Sequence, residues 1–149
     1  MRLGKRRSRM AMLREMAPGS MAFAAFREAL TAANLPTQDL HSEPFRYFVW
    51  NDAAWGGVGV GDDALLRSII VPPEARGRGL GAALTQALAA RAAEQGTGRL
   101  WLLTTSAAPF FEKLGWRVAA RDKAPEAISR SQQFSALCPA SATLMVRAL

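Results

Sequence analysis

The stretch from Leu65 to Thr104 constrains this chain more than any other. It opens on a near-continuous apolar run, Leu65 to Val71, interrupted only by Arg67-Ser68. Such a run suits a central strand buried on both faces. Pro72-Pro73 cannot donate to a sheet ladder and ends the strand. Three glycines in five residues follow, in Arg76-Gly77-Arg78-Gly79-Leu80-Gly81. Leu80, Ala83, Leu84, Ala87 and Leu88 then recur at the spacing of one buried helix face, and Gly96 is a natural stop. Leu100 to Thr104 is a second apolar strand. A strand–helix–strand unit of this kind is right-handed, with its two strands parallel. The chain is therefore of the α/β class.

The flanks add elements on both sides. Met10 to Met16 reads as a weak first strand. Ser20 can cap a helix over Met21 to Ala33, whose Phe23, Phe26 and Leu30 fall at helical spacing. Phe45 to Trp50 and Trp55 to Val60 read as a hairpin around Asn51-Asp52. Pro109 opens a short helix that Gly115 ends. Trp116 to Ala120 and Ala142 to Val146 read as the last strands, with a partly helical stretch near Pro125 to Phe134 between them.

At 149 residues, half of them hydrophobic, the chain suits one domain with a real core. No apolar run reaches the ~20 residues that cross a bilayer, and no leader pattern is visible, so a cytoplasmic location and no membrane partner are expected. One cysteine and one histidine leave little for a metal site; none is expected. The net charge of +7 invites a nucleic-acid reading. Five of those charges, however, are Arg2, Lys5, Arg6, Arg7 and Arg9. The organisation expected is a basic tail over residues 1–9 and a single domain over 10–149, with no nucleic-acid partner.

The chemistry lies in the glycine turn. Glycines let backbone approach a ligand closely, and the free N–H groups and positive dipole end of a helix N-terminus suit a pyrophosphate. Arg76 and Arg78 add charge. Gly77-x-Gly79-x-x-Ala82 fits the loose dinucleotide fingerprint, but Pro72 to Arg76 intervene after the strand, and the next strand lacks the acid that would hold a ribose. No Walker string occurs.

Together with Phe110-Phe111-Glu112-Lys113-Leu114-Gly115-Trp116, the run from Ile69 to Gly81 resembles the GCN5-related N-acetyltransferases, whose hallmarks are [Q/R]-x-x-G-x-[G/A] after a central strand and an aromatic turn near F-Y-x-K-x-G-[F/W]. The resemblance covers about residues 9 to 148. It implies an acyl-CoA N-acyltransferase fold: a mixed, mostly antiparallel sheet with two central parallel strands splayed apart, flanked by helices. It implies acetyl-CoA as co-substrate, its pantetheine arm along Ile69, Ile70 and Val71, its pyrophosphate on Arg76, Gly77, Arg78, Gly79, Leu80 and Gly81, and Phe110 and Phe111 flanking the arm. The reaction implied is direct attack of a small-molecule amine on the thioester, with backbone N–H of Ile70 or Val71 near the developing oxyanion. A homodimer is left open. Leu66 to Val71, Leu102 to Thr105 and Ala136 to Ala142 are further similar to the subgroup found with arsenic-resistance genes, which implies an amino-acid-like acceptor such as an organoarsenical or phosphinothricin-type antibiotic.

The chain departs from the family at Phe111, where many members carry a tyrosine that protonates the leaving thiolate. Tyr47, the only tyrosine, falls in the hairpin. No catalytic acid or base stands out. Arg67 is a candidate to hold an anionic group of the acceptor; strand alternation would put it on one face with Ile69 and Val71, opposite Ser68 and Ile70. Thr105 is a second substrate candidate, at the end of the other splayed strand beside Thr104. Glu74 and His41 read as solvated loop residues and Cys138 as a small buried hydrophobe. Two other classes stay open: an acetyl-CoA sensor without catalysis, and a basic nucleic-acid module.

Overall fold

The computed structural model describes residues 12–41, 44–138 and 140–149; the basic tail expected over 1–9 lies outside them. The elements follow in the order β1 (Leu13–Glu15), α1 (Met21–Ala32), β2 (Arg46–Trp50), β3 (Ala54–Val58), β4 (Asp63–Ile70), α2 (Leu80–Glu94), β5 (Arg99–Thr104), α3 (Ala108–Glu112), β6 (Arg117–Ala119), α4 (Glu126–Ser129) and β7 (Thr143–Ala148). The strands form one sheet in the order β1-β2-β3-β4-β5-β7-β6. Every neighbouring pair is antiparallel except β4 and β5. The mixed α/β fold expected from the sequence is the one observed.

The helices cover both faces. α1 starts where Ser20 Oγ accepts from Phe23 N–H at 3.2 Å, satisfying one orphan donor of its first turn. Phe23, Phe26 and Leu30 pack with Tyr47, Val49 and Ile70. On the same face, Ile128 of α4 packs with Leu65, Trp101 and Val146. The alternating residues of these strands, Phe48, Leu66, Leu100 and Met145, face α2 on the other side. The buried stripe of α2 is Leu84, Thr85, Leu88, Ala89 and Ala92, rotated from the expected one, so that Leu80, Ala83 and Ala87 are only half-buried. Thr85 tolerates burial because its hydroxyl donates to Gly81 O at 2.7 Å.

Strict alternation along β4 does not hold. Gly57 pairs with Arg67 and Trp55 with Ile70, so three steps on β4 oppose two on β3. The extra residue is taken up as a bulge, with Ser68 at φ +57°. Ile69 consequently turns to the α2 side, while Arg67 points toward Phe45 and Tyr47 on the other. The shared face expected for Arg67 and Ile69 is thus corrected.

At its closed end the parallel pair is tied by Asp63, which accepts from Arg99 Nε at 2.8 Å and from Trp101 Nε1 at 2.9 Å. Burial pushes the Asp63 carboxyl up, but the hydrogen bonds from Trp101 and Arg99, with the arginine's charge, outweigh it and leave it below its ordinary 3.8. A carboxyl lowered on folding contributes stability that is present above its ordinary value and lost as pH falls below it. Asp63→Asn should therefore cost about 1 kcal/mol at neutral pH, and the gap to the native chain should narrow as pH falls below about 4. Denaturant melts across this range check it; a gap that stays constant down to about pH 3 would contradict the tie.

Candidate functional site

β4 and β5 are paired only at Asp63–Arg99, Ala64–Leu100 and Leu65–Trp101. Both strands continue, β4 to Ile70 and β5 to Thr104, without a further rung. The wedge between them opens into a cleft of about 780 Å³. Its walls carry Arg67, Ile69, Ile70 and Val71 from the first strand, Thr104 and Thr105 from the second, Arg76, Gly77, Gly79, Leu80 and Gly81 from the glycine turn, and Phe110 and Phe111 from α3. Two segments far apart in sequence, Ile69–Gly81 and Phe110–Phe111, therefore meet around one cavity. Of the residues singled out in the sequence for the co-substrate or the acceptor, Arg78 alone is not on the wall.

Local geometry explains the glycines. Gly77 and Gly79 sit at φ +82° and +73°, a region costly for residues with a Cβ. A Cβ at either would meet nothing within 4 Å, so the requirement is conformational and the space before the turn is open. Gly79 occupies the cap position of α2 and brings no side chain to its first N–H groups. Those groups stay available to an anion, at the positive end of a 15-residue helix. Arg76 folds back, its Nε donating to Val71 O at 3.0 Å, and so fastens the turn to the strand end.

Beyond Leu65, the edge of β4 that faces the wedge has no strand partner, so its backbone groups can pair with an extended chain. Phe110 is 40% exposed at the mouth while Phe111 is buried and meets Trp116 edge-on at 6.0 Å between centroids. Thr104 Oγ1 accepts from Ala107 N–H at 3.0 Å and shapes the turn into α3; Thr105 is exposed. Glu74 and His41 are exposed and off the wall. Tyr47 is buried among Phe23, Phe26 and Phe45, also off the wall. No aspartate, glutamate, histidine or tyrosine is among the described wall residues.

Arg67 is placed differently from what its sequence context suggested. Its side chain is 1% exposed, and Nη1 meets Asp39 Oδ2 at 2.5 Å. The guanidinium expected to await an anionic acceptor group already has a carboxylate. Sequence reasoning missed Asp39, together with Gln133, whose Nε2 donates to Asp39 Oδ2 at 3.2 Å. Cys138, expected to be buried, is half-exposed. It lines the cleft, and its thiol donates to Gln133 Oε1 at 3.4 Å. Burial pushes that thiol above its ordinary value, outweighing the charge of Arg67.

The acetyltransferase (GNAT) domain model matches residues 43–118, which include the glycine turn and the Phe110–Trp116 turn. No curated protein matches the chain. Among solved structures, N-acetylglutamate synthase from Neisseria gonorrhoeae, complexed with coenzyme A and N-acetyl-glutamate, superposes with a TM-score of 0.71 at 19% identity. That match covers 92% of this chain and 34% of the other, so this chain spans about a third of the synthase. Rv2747 from Mycobacterium tuberculosis, in complex with CoA and NLQ, gives 0.73 at 18% identity, over 92% of this chain and 98% of that one. Naa50 from Arabidopsis thaliana, in complex with a bisubstrate analogue, gives 0.65 at 11% identity, over 93% and 99%. At such identities the likeness is one of fold. The family match spans just over half of the sequence and takes in the cleft's first strand, its glycine turn and α3: the chain belongs to the acetyltransferase (GNAT) domain family.

Proposed function

We propose that the protein moves the acetyl group of acetyl-CoA to the primary amine of a small, amino-acid-like molecule, by direct attack while both reactants occupy the wedge between β4 and β5. The observation that carries this reading is the juxtaposition of an unpaired strand edge and an uncapped, glycine-opened helix N-terminus on one cavity. The pyrophosphate would rest on the N–H groups of the turn from Arg76 to Gly81. Arg76 braces that turn, and Arg78, exposed beside it, adds long-range attraction. The pantetheine arm would run along Ile69, Ile70 and Val71, with its amides pairing to the open edge. Phe110 and Phe111 would close over it. A backbone N–H of Ile70 or Val71 is the candidate donor to the acetyl oxygen as charge develops there. Holding both reactants in one cavity supplies much of the acceleration. We place this activity in the cytoplasm; among the described residues no helix is long and apolar enough to cross a membrane.

The described wall residues include no carboxylate, imidazole or phenol; on this reading the attacking species is the acceptor's own unprotonated fraction, and its proton leaves through water in the open cleft. The departing thiolate needs little help, since its ordinary pKa is near ~8.5, and Phe111 gives none. The narrower reading, an organoarsenical or phosphinothricin-type acceptor gripped by Arg67, loses its footing because that guanidinium is buried and paired with Asp39. The lack of a carboxylate, imidazole or phenol among the described wall residues also suits a second reading, an acetyl-CoA sensor. Thiol release from acetyl-CoA across a panel of amines separates the two: amine-dependent release supports the enzyme, and binding without release supports the sensor.

Two outcomes follow from the geometry. Acetyl-CoA at a hundredfold excess over its Kd should stabilise the native chain by about 2.7 kcal/mol. Gly79→Asp should erase that gain, because it places a carboxylate where the pyrophosphate would sit. Thermal melts with and without acetyl-CoA decide it, and a full shift in the variant would refute the site. For the chemistry, log kcat/KM should climb with a slope near one until pH reaches the acceptor's own pKa. A plateau beginning near about pH 6–7, with amines of higher pKa, would reveal a base supplied by the protein.

A further inference from the structure

Arg67 leaves β4 two residues past its last rung with β5, where the wedge begins. Its side chain crosses the Phe45 ring at 4.9 Å, Nε donates to Ser68 Oγ at 2.9 Å, and Nη1 ends on Asp39, which is 0% exposed. Asp39 also receives Gln133, and Gln133 receives the Cys138 thiol. Arg67, Ser68, Gln133 and Cys138 all stand on the cleft wall. The only charged residues on that wall, among those described, are Arg67 and Arg76, and Arg76 belongs to the glycine turn. Among the described residues Arg67 is therefore the one charge on the wall outside that turn, and Asp39, itself off the wall, cancels it. Stability alone does not account for the pair, since apolar replacements of a buried ion pair are often neutral or better. Nη2 of Arg67 is buried and has no hydrogen-bond partner among the described residues, so the guanidinium acts on the cleft through its charge.

We propose that Asp39 is a positioning residue that sets acceptor specificity: by neutralising Arg67 on the wall of the cleft, it fits the site to amines whose neighbouring oxygen group is uncharged, an amide, ester or hydroxyl, in place of a carboxylate. This rests on the acetyltransferase reading above. An uncompensated unit charge several ångströms from a bound anion, at an effective dielectric of ~20, shifts its binding by roughly tenfold or more. Removing Asp39's charge would therefore change which acceptors are used, beyond any change in stability.

The experiment compares kcat/KM for amino acids and their α-amides, leucine against leucinamide and alanine against alaninamide, per concentration of unprotonated amine. The native protein should favour each amide. Asp39→Asn should move the ratio toward the carboxylate by about tenfold, and adding Arg67→Gln to it should restore the native ratio. A second readout needs no turnover. Cys138 is the chain's only cysteine, half-exposed on the same wall, and among the described residues it feels the charges of Arg67, Asp39 and Arg121. Its alkylation by anionic iodoacetate relative to neutral iodoacetamide should rise in Asp39→Asn and return to native in the double variant. If Asp39→Asn does not fold, the native acceptor ratio and the double variant decide the matter. A native preference for the carboxylate partner, or ratios that do not follow the charge of the pair, overturn the proposal. Failure of every amine to be acetylated counts against the acetyltransferase reading instead, while the alkylation ratios still judge the charge cancellation.

Discussion

The site depends on two parallel strands that stop pairing partway along. Below Leu65, β4 and β5 are ordinary sheet, clamped by Asp63 with Arg99 and Trp101. Above it, β4 keeps its partner on the β3 side and loses the one on the β5 side. The bulge at Ser68 lies just past this point, and bulges increase local twist and re-aim side chains. β3 accommodates it with Gly56 and Gly57. A Cβ on Gly56 would come within 2.5 Å of Ile69 Cδ1, and one on Gly57 within 2.7 Å of the Tyr47 ring and 3.3 Å of Arg67 Cγ. These two glycines let the bulged strand and the stem of Arg67 lie close against their neighbour. Cavity, open edge and buried arginine thus share one local distortion.

The second organising feature is the polar seam beneath the wedge. Arg67–Asp39, Gln133 and Cys138 join the loop after α1, the middle of β4 and the π-helical turn Gln133–Leu137. A charged pair with both side chains at or below 1% exposure is costly to desolvate, and breaking it by deleting one partner is worse than never having had it. The seam therefore fixes the far wall of the cleft relative to its strand. π-helical turns are uncommon and frequent near functional sites, and this one brings Gln133 and Leu137 to the cleft wall.

Much of this was legible in the sequence. Apolar runs with proline and glycine punctuation marked out β4, α2 and β5, because those elements are decided locally by burial and by φ. The glycine turn was readable for the same reason: φ > 0 at Gly77 and Gly79 leaves a compositional mark. What could not be read was long-range. Asp39 sits in a polar loop, 28 positions from Arg67, and nothing in its neighbours announces a buried partner. The interruption at Arg67-Ser68 was visible, but a period-two pattern gives no sign of the extra residue that re-aims Arg67. Gln133 and Cys138 joined the wall through tertiary folding of a segment whose periodicity was weak.

Central to the proposed function is the entry of acetyl-CoA along the free edge of β4, with its pyrophosphate seated on the turn before α2. Amide hydrogen exchange, with and without acetyl-CoA, addresses both halves together. Protection should appear in two stretches, 69–71 and 77–83, with residues 46–50 of β2 little changed. Tight binding that leaves both stretches unprotected would contradict this placement.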